Sequence, residues 1–262
     1  MFTPEKINII GDISIPLRFG GPQPNAYGVN SAVSEPMLAG TLVGDVRRGG
    51  SVNFERYVLI PHCNGTHTEC IGHLTQERIP ITECLQDILF SALLVSIETV
   101  PASATGETLP LNHSRYDSII TRDALAKAFN QLDGEMKGLI IRTLPNNENK
   151  LSCQYDSENI PAYFSREAME LIVTSGIQHL LTDLPSIDRL YDDGHLENHR
   201  LFWGMKPGQN RIDSASRRFA TVTEMIYVPN EIPDSIYLVN LQIPPFVADA
   251  APSRPILCTI DN

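Results

Sequence analysis

Residues 61–73 read Pro-His-Cys-Asn-Gly-Thr-His-Thr-Glu-Cys-Ile-Gly-His and contain three His, two Cys and one Glu. These are the side chains that bind Zn²⁺ and similar ions. In an extended chain, successive side chains alternate between two faces. The odd-numbered ligand-type side chains would then share one face, namely Cys63, His67, Glu69 and His73. The pattern predicts a metal site on this face, with His62 and Cys70 on the other; the alternative is a polar loop with scattered histidines.

The cysteines allow further interpretations. Cys63 could act as a nucleophile with His67 or His73 as its base, although no neighbouring signature supports this. The other cysteines have the character of small buried hydrophobes. Five cysteines without regular spacing do not suggest a disulfide framework, so a reducing, cytoplasmic setting is expected.

A family resemblance starts from the same segment. The pattern Gly-Thr-His-x-Glu-x-x-x-His over residues 65–73 resembles the signature His-x-Gly-Thr-His-x-Asp-x-Pro-x-His of the cyclase family of metal-dependent hydrolases. That family includes bacterial kynurenine formamidases and isatin hydrolases. Residues 182–188, residues 198–202 and the pair Thr223-Glu224 resemble later family segments in the same order. The resemblance extends over most of the chain, roughly from Ile7 to Leu257.

The chain also departs from the family pattern. Aligned on Gly-Thr-His, the first His of the signature falls on Cys63, the Asp on Glu69 and the Pro on Ile71. A thiolate is a good Zn²⁺ ligand and would favour zinc over harder ions such as Mn²⁺. His62 is one place out of register, but a bulge could swing it back. The first ligand position is therefore open between Cys63 and His62.

The resemblance implies a role for each candidate residue. It implies that Cys63, His67 and Glu69 bind a metal, and that His73 is a second-metal ligand or a general acid/base. His199 and Glu224 would complete a second metal position or a proton relay. The full set implied as metal ligands is Cys63, His67, Glu69, His73, His199 and Glu224, with His73, His199 and Glu224 also implied in catalysis.

Two further segments have a structural alternative. Asp183 and Asp188 would support the metal shell from the rim of the pocket, or would belong to an ordinary turn after a strand. Residues 204–219, which contain three arginines, look like an insertion that could form a lid or an anion-binding rim. His195, four residues before His199, is expected at the surface.

Composition narrows the classes of partner. The chain has 262 residues, 42% hydrophobic and 19% charged, with a formal net charge of −11. This charge argues against nonspecific nucleic-acid binding and against an anionic membrane surface. No apolar run approaches the ~20 residues that span a bilayer, and residues 1–6 show no signal-peptide pattern. A small molecule is therefore the expected substrate. We also expect the protein to form a homo-oligomer.

Periodicity predicts a mixture of strands and a few helices, hence one α/β domain over residues 1–262. Strands are predicted at 7–17, 54–60, 93–100, 138–144, 177–181, 220–228, 235–243 and 254–260. Helices are predicted at 121–132 and 165–176, capped by Thr121 and Ser165, with Leu132 on the apolar stripe of the first. The resemblance implies a swivelling β/β/α arrangement with a mixed sheet.

These observations lead to a functional hypothesis and an alternative. The resemblance implies a metal-dependent hydrolase of a non-peptide C–N amide bond, with arylformamides or cyclic amides as substrates and zinc as the metal. The alternative is a non-catalytic relative that binds a small molecule or a structural metal.

Overall fold

A computed structural model describes residues 7–129 and 136–260. Its strands, in chain order, are β1 (Ile7–Asp12), β2 (Asn25–Ala26), β3 (Val33–Pro36), β4 (Leu38–Ala39), β5 (Leu42–Val43), β6 (Glu55–Val58), β7 (His67–Cys70), β8 (Leu89–Glu98), β9 (Val100–Pro101), β10 (Ser118–Ile120), β11 (Gly138–Leu144), β12 (Gln154–Tyr155), β13 (Tyr163–Phe164), β14 (His179–Thr182), β15 (Thr221–Glu224), β16 (Ser235–Asn240), β17 (Ala250–Pro252) and β18 (Ile256–Ile260). The α-helices are α1 (Pro61–Asn64), α2 (Ile81–Cys84), α3 (Arg122–Phe129), α4 (Arg166–Thr174) and α5 (Glu197–Phe202).

A large mixed sheet organises the chain. Within the described residues its strands follow the order β1-β18-β16-β8-β11-β14-β15-β7-β17. Strands β8, β11, β14 and β15 run parallel at its centre, and the outer pairs are antiparallel. Strand β11 coincides with the predicted strand at 138–144 and is buried along nearly its whole length, as a central parallel strand should be. The predicted α/β class with a mixed sheet is confirmed.

The helices pack on one another and on this sheet. Ser165 caps α4 by accepting a hydrogen bond from the amide of Ala168, as its position predicted. Thr121 accepts from Ala124 in the same way at the start of α3. The predicted continuation of α3 to Leu132 lies outside the described residues. In the described part of the chain, no helix is long and apolar enough to cross a membrane.

The ligand-rich segment is not one extended stretch, so that prediction is wrong for its two ends. Residues 61–64 form α1, which has Pro61 in its first turn, and the Asn64 side chain accepts a hydrogen bond from the amide of Ile60 at 2.6 Å. Residues 67–70 form β7, and a 3₁₀ turn covers Ile71–Leu74. The alternation of faces therefore applies only to β7, and it does not determine where Cys63 and His73 lie.

Strand β7 lies between β15 and β17, and this pairing assembles the site. His67 lies opposite Glu224 on β15, and Glu69 lies opposite Ala250 on β17. Distant parts of the chain therefore meet at the ligand-rich segment.

Candidate metal centre

His67 and Glu69 lie on the same face of β7, and both are buried. The Nδ1 of His67 lies 3.0 Å from the carbonyl oxygen of Gly65. A neutral imidazole that donates from Nδ1 carries its lone pair on Nε2. That Nε2 is buried and makes no hydrogen bond with any described residue, although Oε2 of Glu224 lies 3.4 Å away. An unpartnered buried nitrogen among carboxylates is what a metal ligand requires.

Glu69 occupies the centre of the cluster. Its Oε1 lies 2.9 Å from Nε2 of His199, and its Oε2 lies 3.0 Å from Nδ1 of His62 and 3.7 Å from Nδ1 of His73. Burial opposes a charge on Glu69, but the surrounding imidazoles, His73 and His199 foremost, hold the pKa of its carboxyl well below its usual range. Glu69 is therefore held as a charged carboxylate. Its oxygens belong to two groups of potential metal ligands, one with His62 and His67 and the other with His199 and Glu224.

His199 is held in place by Asp188. Its Nδ1 lies 2.6 Å from Oδ2 of Asp188, whose carboxylate also accepts the amides of Asn198 at 2.7 Å and His199 at 3.1 Å. Burial would lower the pKa of His199, but the charge of Glu69 and the hydrogen bond to Asp188 raise it well above the ordinary value. His195, which precedes α5, is exposed as expected.

Glu224 closes the cluster from the end of β15. It is buried, and its Oε1 accepts the amide of Ile187 at 2.9 Å and lies 3.6 Å from Nε2 of His199. The structure thus brings together five of the six residues implied as ligands, listed here: His67, Glu69, His73, His199 and Glu224.

Cys63 does not join them. Potential ligand atoms lie within 4.8 Å of one another in three groups: His62-His67-Glu69, Glu69-His199-Glu224 and His62-His73-Asp249. Among the described residues, Cys63 belongs to none of these groups. His62 is the side chain of α1 that reaches Glu69, with Nδ1 3.0 Å from Oε2; Cys63 points elsewhere, because consecutive side chains on a helix diverge by about 100°. Burial and the charge of Glu224 raise the pKa of the Cys63 thiol, so Cys63 lies near the cluster without adding a ligand atom to these groups, and this geometry does not support a sulfur-based preference for zinc.

His62 and Asp249 complete the outer part of the cluster. Oδ2 of Asp249 lies 3.0 Å from Nε2 of His62 and 3.3 Å from Nδ1 of His73. Burial alone would lower the pKa of His62, but the hydrogen bonds to Asp249 and Glu69 raise it to about 10. In turn, the hydrogen bonds with His62 and His73 lower the pKa of the Asp249 carboxyl. Sequence reasoning missed Asp249, because only the pairing of β17 with β7 brings it near.

A cavity of about 440 Å³ opens onto the cluster. Tyr27 and Tyr191 line it with their rings in a T-shaped contact, 5.5 Å between centroids, and Leu196 adds an apolar side chain. Both tyrosines have a left-handed backbone conformation, with φ of 62°, which is uncommon for residues other than glycine. Burial and the charge of Glu224 raise the pKa of Tyr27. No sequence pattern indicated these tyrosines.

Other expected site residues have structural roles. Asp183 binds Nζ of Lys150 at 2.7 Å and the amide of Thr143 at 2.8 Å, away from the cavity. In the segment 204–219, Arg217 donates to main-chain carbonyls and Arg218 pairs with Glu83 at 2.7 Å. Among the described residues, no part of this segment lines the cavity, so the expected lid or anion-binding rim is corrected.

Comparisons with known proteins agree with this fold. A family model described as "Putative cyclase" matches residues 11–189. A comparison with curated proteins gave no significant match. The predicted metal-dependent hydrolase from Bacillus stearothermophilus is 17% identical, with a TM-score of 0.58 over 97% of this chain and 98% of that chain. Isatin hydrolase A from Labrenzia aggregata, bound to benzyl benzoate, is 13% identical, with a TM-score of 0.61 over 97% and 94%.

Proposed function

Because the chain belongs to the cyclase family, we propose that it is a metal-dependent hydrolase of a non-peptide C–N amide bond. The observation that carries the proposal is the buried, unpartnered Nε2 of His67, which faces the carboxylates of Glu69 and Glu224. Nε2 of His179 is also buried without a hydrogen bond among the described residues, but His179 belongs to none of the three ligand groups, so the neighbouring ligand atoms distinguish His67. An imidazole that presents a bare lone pair to carboxylates suits a divalent cation.

The donor set fits such an ion. His62, His67 and Glu69 would hold it, and Glu69, His199 and Glu224 form an adjoining set that shares one carboxylate. Two imidazoles and a carboxylate are a usual set for catalytic zinc, which keeps an open position for water. We propose zinc on this basis. When bound, zinc lowers the pKa of its water to ≈ 7 and polarises an amide carbonyl.

The chain's own groups would orient the reactants and transfer protons. Gly65 fixes the ring of His67, and Asp188 fixes the ring of His199. His73 lines the cavity with a side chain that is 28% exposed, so it can meet both substrate and water. We propose His73 as the group that delivers a proton to the departing nitrogen, a role suited to an imidazole.

The cavity supports a flat, aromatic substrate such as an N-formyl aryl amine or a cyclic aryl amide. Tyr27 and Tyr191 offer ring faces and edges at its opening, and rings of this kind attract aromatic ligands. Asp192 and Asp193 line the cavity beyond the histidine cluster, which favours a neutral substrate over an anion.

A homo-oligomer forms part of the proposal. The ribbon formed by β3 and β6, with the residues between them, exposes large apolar side chains, among them Val33, Leu38, Val46, Val52 and Tyr57. An exposed apolar patch of this kind favours association. Size-exclusion chromatography with light scattering would check it, and a monomer at micromolar concentration would contradict it.

The test of the enzymatic proposal compares His67→Ala with His113→Ala, a variant of an exposed histidine outside the cluster. Each protein is loaded with Zn²⁺, its metal content is measured, and hydrolysis of isatin and of N-formyl aryl amines is followed. We expect the His67 variant to lose both metal and turnover, whereas the His113 variant keeps both. Stoichiometric metal without turnover on any substrate would favour the non-catalytic alternative.

A further inference from the structure

His62 lies between two carboxylates on opposite sides of its ring. Its Nδ1 is 3.0 Å from Oε2 of Glu69, and its Nε2 is 3.0 Å from Oδ2 of Asp249. Its side chain is 27% exposed, and that of Asp249 is 34% exposed. The ring therefore has one nitrogen directed into the buried cluster and the other directed outward to a carboxylate.

Asp249 is placed by the main chain. It directly precedes β17, in which Ala250 pairs with Glu69, and its carbonyl accepts the amide of Cys70 at 3.1 Å. Gly72 leaves room for this approach, since a Cβ there would lie 3.2 Å from Cβ of Asp249 and 2.2 Å from the carbonyl oxygen of Ile79. The Asp249 side chain therefore has a defined position beside His62.

We propose that Asp249 is a positioning residue that makes His62 a metal ligand. By accepting a hydrogen bond from Nε2 of His62, it turns Nδ1 toward Glu69 and the unpartnered Nε2 of His67. The inference rests on the proposed metal centre. It assigns Asp249 as the hydrogen-bond acceptor for the outer nitrogen of His62.

Metal-binding histidines usually donate their second ring N–H to a carboxylate or carbonyl, which fixes the tautomer and the ring orientation. His67 has such a partner in the Gly65 carbonyl. His62 lies on the four-residue helix α1, which gives it no main-chain partner of this kind, and Asp249 supplies the carboxylate instead. The first ligand position of the family signature aligns with Cys63. In this proposal His62, held by Asp249, takes that position.

The same oxygen of Asp249 also constrains His73. It lies 3.3 Å from Nδ1 of His73, and the rings of His62 and His73 are 4.5 Å apart between centroids. Removal of the carboxylate should therefore loosen both imidazoles at the mouth of the cavity.

Zn²⁺ affinity, measured by competition with a chromophoric chelator, tests the inference. The variants are Asp249→Ala, Asp249→Asn, His62→Ala, Cys63→Ser and His113→Ala. We expect Asp249→Ala to weaken zinc binding about 10–100-fold, the usual effect of losing an outer-shell partner. Asp249→Asn should lose less, because its amide oxygen still accepts from Nε2, and His62→Ala should lose most. Cys63→Ser and His113→Ala should bind zinc as the wild type does.

Nitrogen-15 spectra of the zinc-loaded wild-type protein give an independent readout. We expect His62 to be metal-bound at Nδ1 and protonated at Nε2. Binding through Nε2, or wild-type affinity in Asp249→Ala, would overturn the inference while leaving the hydrolase proposal intact. Loss of one of two bound zinc ions in Asp249→Ala would make Asp249 a ligand and would also overturn it. A wild-type protein that binds no zinc would refute the metal centre itself. Circular dichroism melting of each variant separates lost affinity from lost fold.

Discussion

The substitution Asp188→Asn removes one charge from the buried network behind His199. The carboxylate accepts hydrogen bonds from two main-chain amides, those of Asn198 and His199, and lies 2.6 Å from Nδ1 of His199. An asparagine of the same shape has only one accepting oxygen. If the oxygen of the new asparagine accepts from the amide of Asn198, its NH₂ group faces the amide and the ring of His199. At least one N–H donor of His199 then loses its acceptor.

The expected cost follows from burial. Asp188 and His199 are both almost completely buried. Removing one partner of a buried charged pair typically costs 3–5 kcal/mol. The bond to Asn198 survives, and His199 can release its proton, so we expect the lower end, about 3 kcal/mol of unfolding free energy. In the folded protein, the misoriented imidazole should lower kcat/KM by about 10–100-fold.

Urea unfolding followed by far-UV circular dichroism measures the first effect, and initial rates with saturating zinc measure the second. Asp193→Asn is the matched control for stability, because Asp193 is exposed on the same loop; surface changes usually stay within ±0.5 kcal/mol. Wild-type stability together with wild-type kcat/KM in Asp188→Asn would refute the conclusion that this carboxylate holds His199.

Two further predictions concern single side chains. His179 is buried against the ring of Phe90, which lowers its pKa to about 4, so it is neutral in the folded protein and takes up a proton more readily when unfolded. Its contribution to stability is present above pH 6.5 and is lost as the pH falls toward 4; between pH 7.5 and 5 we expect urea titrations to show the wild type losing about 2 kcal/mol relative to His179→Gln, because the other histidines titrate equally in both proteins. Trp203, the sole tryptophan, lies 5.4 Å from the ring of His199 and 6.5 Å from that of His73. Its fluorescence should change on zinc addition and saturate at the bound stoichiometry, because a bound ion changes the charge close to the indole ring; a flat titration while zinc binds would contradict this.

Strand periodicity predicted the parts of the site that lie on regular strands. His67 and Glu69 share a face because β7 is a true strand, and β11 was recognisable from its continuous apolar run. The later ligand candidates, His199 and Glu224, came from resemblance rather than from periodicity. The structure places both in the cluster.

The sequence alone could not decide whether His62 or Cys63 occupies the first ligand position, and the reason is local. The alternation of faces holds only for a strand, and residues 61–64 form a helix, with Pro61 in its first turn and Gly65 after its end. A four-residue helix leaves too few positions for a periodic signal, so the pattern alone could not show which side chain turns inward. Asp249 and Tyr27 were beyond reach because their places depend on contacts with distant segments.

The most direct test of the central claim titrates Zn²⁺ into chelator-stripped protein while the rate of hydrolysis of isatin or an N-formyl aryl amine is recorded. The proposed ligand set, His62, His67 and Glu69, predicts no turnover without metal, a rise in rate with each addition, and a plateau once the site is filled. Full hydrolysis by the stripped protein, or none on any substrate at saturating zinc, would contradict the claim that this cluster is the catalytic centre of a metal-dependent amide hydrolase.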